Sequence, residues 1–584
     1  MKFPAKFGSK SKVNSKVNIW RYRFVLIFLA VAALALLWRM LDLMVINRGF
    51  LMQQGNARMV RVVSTQAYRG MITDRYGNPL AISTPVDAVW ADPQTVTDVD
   101  AATLSKLARI IALPQKTLNS RLQQKHKEFI YLQRQLTPLQ AAQVKALNIP
   151  GIFLKREYRR YYPEGEITAH VVGLTNVDDH GQEGLELADE KTLQGVAGQR
   201  RVIKDRMGYV VAEVNELREP KAGENIALSL DRRIQYSAYR ALAAGISKYN
   251  AKSGSAVVMD VHTGEILAMV SQPGFNPNNR PKGQSEAYRN RAVTDTFEPG
   301  STIKTFSIIT ALESGKYTPN TMINTSPGSY MIGKNMVRDH SNKGEMTVTD
   351  VLKFSSNVGV SKIILSLPPE NLWNLLNKLG LGQSTRSGFP GEVVGVLPYR
   401  EKWAPFALAT FSFGYGLSVT TLQLAHIYST LANEGISVPP TFLKVTTPPQ
   451  GEQMIDPKTT HETIKMLETV VEPGGTAPWA RVPGYWISGK SGTTFVVGPQ
   501  GYDKKHKNVV FVGIAPATNP QLVVVVFLHD PKPKAQTSDA GYTAGPIFSK
   551  IMSESLRILN IPPDHLNGGA QTGEQQKPAA EELG

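Results

Sequence analysis

Two apolar stretches, one near the middle of the chain and one near its end, constrain the fold most. "GSAVVMDVHTGEILAMVS" (254 to 271) places two β-rich runs around a D-x-x-T-G turn, and "NVVFVGIAPATNPQLVVVVFLHD" (508 to 530) repeats the pattern around Asn519 and Pro520. Each reads as a hairpin, because branched apolar runs favour strands and the Asp, Asn, Gly and Pro punctuation reverses the chain. Between them the text is mostly helical, as in "TIKTFSIITALESG", "TVTDVLKFSSNVGVSKIILSL" and "VTTLQLAHIYSTLANEG". Strands at both ends with helices between predict an antiparallel sheet whose ends meet, covered by helices in an α+β arrangement.

The N-terminus sets a second constraint. "FVLIFLAVAALALLW" (24 to 38) stays apolar through "MLDLMVI", and a helix from Phe24 to Ile46 would be roughly 35 Å long, enough to cross a bilayer. Lys2, Lys6, Lys10, Lys12, Lys16, Arg21 and Arg23 precede it, while the first acidic residue is Asp42. That asymmetry predicts a basic cytoplasmic tail (1–23), an anchor (24–46) and a remainder on the far side of the membrane. The small-residue triplets "AVA" and "ALA" lie inside the run, so the segment reads as an uncleaved anchor rather than a signal peptide. Arg39 and Asp42, three apart, are expected to pair on one helical face.

The net charge of +17 is therefore partly a topology signal; the rest is spread over the chain with no aromatic-basic motif, so no nucleic acid partner is expected. With no cysteine, disulfides, thiolate metal sites and cysteine nucleophiles are excluded, and neither metal nor cofactor is expected. Residues 47–225 mix short strand-like and helical segments such as "RGMITDRYGNPLA" and "REYRRYYPEGEITAHVVG". They carry no spacing that implies chemistry and read as salt-bridged turns of an elongated structural domain. Within them "TPLQAAQVKALNI" (137 to 149) predicts an amphipathic helix capped by its threonine. The polar, glycine-rich end (566–584) is expected to be disordered.

The chemistry starts at "FEPGSTIKTF", where Ser301 and Lys304 stand three apart at the opening of a helical pattern. A serine there sits at the positive end of a helix dipole, and a desolvated lysine one turn on can take its proton. Alone the pair is weak: Ser9 and Lys12 repeat the spacing, and a serine cap with a solvated lysine explains it equally well. Ser355, Ser356 and Asn357 then form an S-x-N, offering a hydroxyl for proton relay and an amide for a substrate carbonyl. "GKSGT" adds Lys490, Ser491, Gly492 and Thr493 on a strand-like run, a cation and two hydroxyls suited to a carboxylate. The three elements in this order make a strong signal for a serine acyl-transfer site.

With these motifs the chain resembles the class B penicillin-binding proteins of the cell-division type, over nearly its whole length. The matching text includes "RGMITDRYGNPLA", "RRYYPEGEITAHVVG", "FNPNNR", "DTFEPGSTIKTF", "SSNVGVSK" and "FSFGYGLSVTTLQLA". The resemblance implies a transpeptidase domain (226–565) like that of serine β-lactamases, with a five-stranded antiparallel sheet covered by helices, on a pedestal domain (47–225). It implies D,D-transpeptidation of peptidoglycan stem peptides ending in D-Ala-D-Ala, with β-lactam antibiotics acylating the same serine. By carry-over Ser301 is the nucleophile, Lys304 the base, Ser355 the proton relay and Asn357 the ligand of the substrate amide. Lys490 supplies positive charge, while Ser491, Gly492 and Thr493 bind the substrate carboxylate region. Expected partners are a membrane glycan polymerase and other division-complex proteins at the septum of a bacterial inner membrane.

Ser491 stands where relatives of this type mostly carry threonine, and "SYMIGKNMVRDHSNKG" (329 to 344) departs from the usual text near the cleft. A β-lactamase would share the three motifs but need a deacylating base, and "ENLWN" (370 to 374) reads as helix surface instead. A D,D-carboxypeptidase would use the same serine with water as acceptor, and a division-complex scaffold would use the anchor and pedestal. These alternatives stay open at the level of sequence.

Overall fold

A computed structural model of the chain describes residues 19–97, 99–205, 210–280, 283, 285–498, 501–533 and 538–565. Most of the basic tail, the Ser9/Lys12 pair and the 566–584 segment lie outside the described residues. An α-helix runs over Ile19–Leu41 and continues as a π-helical turn over Asp42–Ile46, beginning ahead of the predicted Phe24. Within these 28 residues an 18-residue stretch reaches a mean hydropathy of 2.5, and none of it is buried, so the apolar surface has no protein cover. Arg39 Nη1 donates to Asp42 Oδ2 at 2.7 Å, the intrahelical pair expected from the spacing.

The packing divides the rest into two units, neither continuous in sequence. The first takes in the chain up to Gln66, Ala88–Lys155 and Ala197–Pro220. It holds a three-stranded antiparallel sheet, Val60–Thr65 against Gly198–Lys204 against Val210–Arg218. It also has a small core of its own around Leu107, Leu118, Leu132 and Val144. The helix Pro138–Ala146 starts where expected: Thr137 Oγ1 accepts from the Gln140 N–H at 3.3 Å, and Gln140 Oε1 accepts from the Thr137 N–H at 3.1 Å.

The second unit takes in Ala67–Asp87, Arg156–Val196 and the chain from Lys221 on. Helix α1 (Arg232–Tyr249) leads into strands β1 (Ser253–Asp260) and β2 (Ile266–Gln272), the first predicted hairpin. Asp260 Oδ1 shapes the turn by accepting from the N–H groups of His262 and Thr263 at 3.0 and 2.9 Å. Helices α2 (Lys304–Glu313) and α3 (Asn357–Leu365) follow, then β3 (Ser488–Gly498), β4 (Gly501–Ala515), β5 (Leu522–His529) and helix α4 (Ala540–Ile558). The five strands form one antiparallel sheet in the order β2-β1-β5-β4-β3, so the two hairpins meet where β1 pairs β5 from Ser253↔His529 to Asp260↔Leu522. Residues of β1, β2 and β5 are buried on both faces, since helices cover each side, which is why these runs are apolar without alternation.

The arginine-rich segments resolve into a buried ionic cluster. Glu186, with no exposed surface, accepts from Arg69 Nε at 2.8 Å and Arg160 Nε at 2.6 Å, and Arg69 Nη1 also reaches Glu190 at 2.7 Å. Removing one partner of such a group strands the others without solvent. Glu186→Gln is therefore expected to cost about 3–5 kcal/mol in thermal unfolding. Glu554→Gln, which breaks the exposed Glu554–Arg557 pair, should cost less than about 1 kcal/mol.

Candidate active site

Ser301 lies in a 3₁₀ turn, Gly300–Ile303, that runs directly into α2, three residues before the α-helix begins at Lys304 rather than as its first residue. Close packing brings this turn against the sheet. A Cβ added to Gly492 on β3 would lie 2.6 Å from Pro299 O, and one added to Gly414 would lie 2.1 Å from Gly300 O. Gly300 itself has φ +56°, a left-handed conformation that suits glycine. The buried Tyr428 hydroxyl donates to Thr302 O at 2.8 Å and bonds Thr305 Oγ1 at 2.8 Å, pinning the start of α2 from the opposite side. Glu298, three residues before the serine, accepts from the Gly416 N–H at 2.8 Å and the Tyr502 hydroxyl at 3.0 Å, and burial raises its carboxyl pKa.

Lys304 is fully buried on the first turn of α2. Its Nζ donates to Ser355 O at 2.5 Å and to Ser355 Oγ at 3.1 Å. Lys490, equally buried on β3, donates to the same Ser355 Oγ at 3.0 Å and to Ser491 O at 3.1 Å. Two amines thus converge on one hydroxyl, where two positive charges without solvent repel strongly. Burial first, and then the Lys490 charge, hold Lys304 well below the ordinary lysine range; burial brings Lys490 down to about 7. Ser301 Oγ, partly exposed, makes no hydrogen bond among the described residues, so the amine one turn on is satisfied by Ser355 instead.

Ser355 adopts φ +57°, unusual for a residue with a side chain, and this turns both its carbonyl and its hydroxyl toward Lys304. The next residue, Ser356, caps α3 by accepting from the Gly359 N–H at 2.8 Å. Asn357 Nδ2 donates to Arg338 O at 3.0 Å. On β3, Ser491 Oγ bonds Thr476 Oγ1 at 3.2 Å, and Thr493 Oγ1 accepts from the Ala540 N–H at 3.2 Å, which leaves the Thr493 hydroxyl proton free to donate. The motif residues Ser301, Lys304, Ser355, Asn357, Lys490, Ser491, Gly492 and Thr493 thus fall on three neighbouring elements: the α2 entrance, the α3 entrance and β3.

Asp339 and Glu298 also belong to this arrangement, and neither stands at a spacing that marks it. Asp339 precedes Asn357 by 18 residues in a polar loop, yet its Oδ1 accepts from the Asn357 N–H at 2.5 Å. Among the described residues no group of His, Asp, Glu or Cys side chains has the geometry to hold a metal ion. A cavity of about 680 Å³ opens beside Glu298, lined also by Arg289, Arg291, Asp295, Phe495 and His529.

Comparison with known proteins gives two family matches: a penicillin binding protein transpeptidase domain over residues 254–553 and a penicillin-binding protein dimerisation domain over residues 64–228. The chain is 41% identical over 576 residues to peptidoglycan D,D-transpeptidase FtsI of Escherichia coli (strain K12), covering 97% of each chain. It is 41% identical over 565 residues to the probable peptidoglycan D,D-transpeptidase PbpC of Pseudomonas aeruginosa, covering 95% of this chain and 98% of that one. Among solved structures it is similar to penicillin binding protein 3 of Mycobacterium tuberculosis in complex with aztreonam. That match has a TM-score of 0.66 and 28% identity over 86% of this chain and 98% of that one.

Because the contact at Gly414 is backbone against backbone, no side chain can move aside to relieve it. Gly414→Ala is expected to lower the melting temperature by several degrees, since the added methyl must displace the serine turn. Gly391→Ala, at a similarly positive φ but with open space around it, should lower it less; thermal unfolding of the two variants compares them.

Proposed function

The chain belongs to the class B penicillin-binding proteins, serine D,D-transpeptidases of peptidoglycan, and we propose that it cross-links stem peptides through an acyl-enzyme on Ser301. The observation that carries the assignment is the pair of buried amines on the Ser355 hydroxyl beside the serine turn. Lys304, neutral for the reasons of burial and repulsion given above, takes the Ser301 proton as Oγ attacks the carbonyl between the two terminal D-alanines. Backbone N–H groups of Ser301 and Thr493 hold the oxyanion. The proton passes through Ser355 Oγ, which lies within hydrogen-bond reach of both lysines, to the departing D-alanine amine. An amine of a neighbouring stem then attacks the ester, forming the cross-link and freeing the serine.

Lys490, still charged, and the hydroxyls of Ser491 and Thr493 receive the terminal carboxylate of the donor; Gly492 lets the serine turn lie against β3. Asn357 holds the substrate amide by exchanging its bond to Arg338 O. β-Lactams acylate Ser301 as mimics of D-Ala-D-Ala. The Ile19–Ile46 helix serves as a single-pass inner-membrane anchor with the N-terminus cytoplasmic and the catalytic part periplasmic. The chain then works at the septum with a membrane glycan polymerase and other division-complex proteins.

Labelling with a fluorescent penicillin tests the nucleophile: wild type should form a long-lived adduct and Ser301→Ala none, and an adduct on the variant would refute the assignment. A donor ending in D-Ala-D-Ala, supplied with an amine acceptor, should give cross-linked product in excess of hydrolysis. The pH profile of acylation should be bell-shaped. Its acid limb reports Lys304, which must lose a proton to act as base; its basic limb, near 7 in the free enzyme, reports Lys490, which must keep one. Lys490→Arg, charged at all these values, should remove the basic limb from the profile measured as kcat/KM.

A further inference from the structure

The 329–344 segment, which departs from the usual text, forms a small hairpin of Ser329–Ile332 against Asn335–Arg338, and Asp339 follows its second strand. The Asp339 N–H donates to Gly328 O at 2.9 Å, which closes the base of the hairpin. From there its carboxylate reaches the S-x-N motif. Oδ1 accepts from the N–H groups of Asn357 and Val358 at 2.5 and 2.9 Å, and Oδ2 accepts from the Ser356 hydroxyl at 2.5 Å. Two otherwise orphaned N–H groups of α3 are satisfied, and a negative charge sits at the positive end of that helix. All three bonds fall on the residues that immediately follow Ser355, whose left-handed φ turns its carbonyl and hydroxyl toward Lys304.

We propose that Asp339 is a positioning residue for the acyl transfer: its carboxylate locks the entrance of α3 so that Ser355 meets Lys304. The inference rests on the reading of Lys304 as the base for Ser301. Two charged groups act on the Lys304 amine, Lys490 from β3 and Asp339 from the loop. They act in opposite senses: Lys490 drives the proton off and Asp339 retains it. Without Asp339, Lys304 would be neutral over a wider range but a weaker base, and proton transfer from serine would slow. Two neighbouring cations in the sequence are directed elsewhere: Arg338 Nε lies 3.0 Å from Met336 Sδ, and Lys343 Nζ lies 4.9 Å from the centre of the Phe354 ring.

Acylation of the full-length protein by fluorescent penicillin, followed as a rate across pH 5 to 10 in wild type, Asp339→Asn and Ser356→Ala, tests this. Asp339→Asn keeps an acceptor for the two N–H groups but removes the charge, so the acid limb should move to lower pH by about half a unit or more, with the plateau rate reduced several-fold. Ser356→Ala weakens the cap and leaves the charge, so it should lower the rate with the limb in place. An Asp339→Asn limb that coincides with wild type, or an equal shift in Ser356→Ala, would overturn the inference while leaving the nucleophile standing. A wild type that does not label on Ser301 would overturn the nucleophile and this inference together.

Discussion

Two buried lysines that share one hydroxyl are the constraint around which the catalytic unit is arranged. Water would solvate both ammonium groups and restore their ordinary basicity, so Lys304 and Lys490 must come from elements packed closely enough to exclude it, and they come from the first turn of α2 and from β3. The Ser355 hydroxyl that joins them stands at the entrance of a third element, α3, on backbone held in a left-handed conformation. Strain of this kind, on the order of 1–3 kcal/mol, persists only where the surroundings over-determine it, and here the bonds from Asp339 to the next three residues supply that support.

The same constraint explains the glycines. Lys490 and the serine turn can approach only if β3 and the residues around 300 and 414 touch through their backbones, and side chains at Gly492 or Gly414 would hold them apart. The sheet supplies rigidity behind this contact. β3 is the edge strand, yet its neighbour β4 is tied to the central β5 and through it to β1, so the K-S-G-T residues stand on an element fixed across five strands.

Much of this was legible in the sequence because it is written in periodicity and local spacing. The hairpins 254–271 and 508–530 announced a sheet and its closure, Thr137 announced its helix, and the apolar run announced a membrane-length helix, although the helix starts at Ile19. The three motifs were legible as a set because each places its reactive groups within four residues of one another. What could not be read depends on contacts between distant segments. Asp339 and Glu298 sit in loops whose text gives no hint of what they face, and Gly414 reads as one more loop glycine until it is seen against Gly300. Nor does the composition of Ala67–Asp87 or Arg156–Val196 say that these segments share a packing unit with residues beyond Lys221.

That last arrangement bears on how such a chain comes to be folded. Its two units are interleaved, with the chain changing unit at Gln66, Asp87, Lys155, Val196 and Pro220. A chain delivered from its N-terminus presents Arg69, Arg160 and Glu186 early, and these can assemble from what has already emerged. By contrast, Ile72–Thr73 must wait for Ile226–Ala227, and Arg75 for Glu265. The second unit thus holds its first strands in reserve until the middle of the chain arrives, so delivery and folding are coupled from Ile72 as far as Glu265 rather than proceeding one domain at a time.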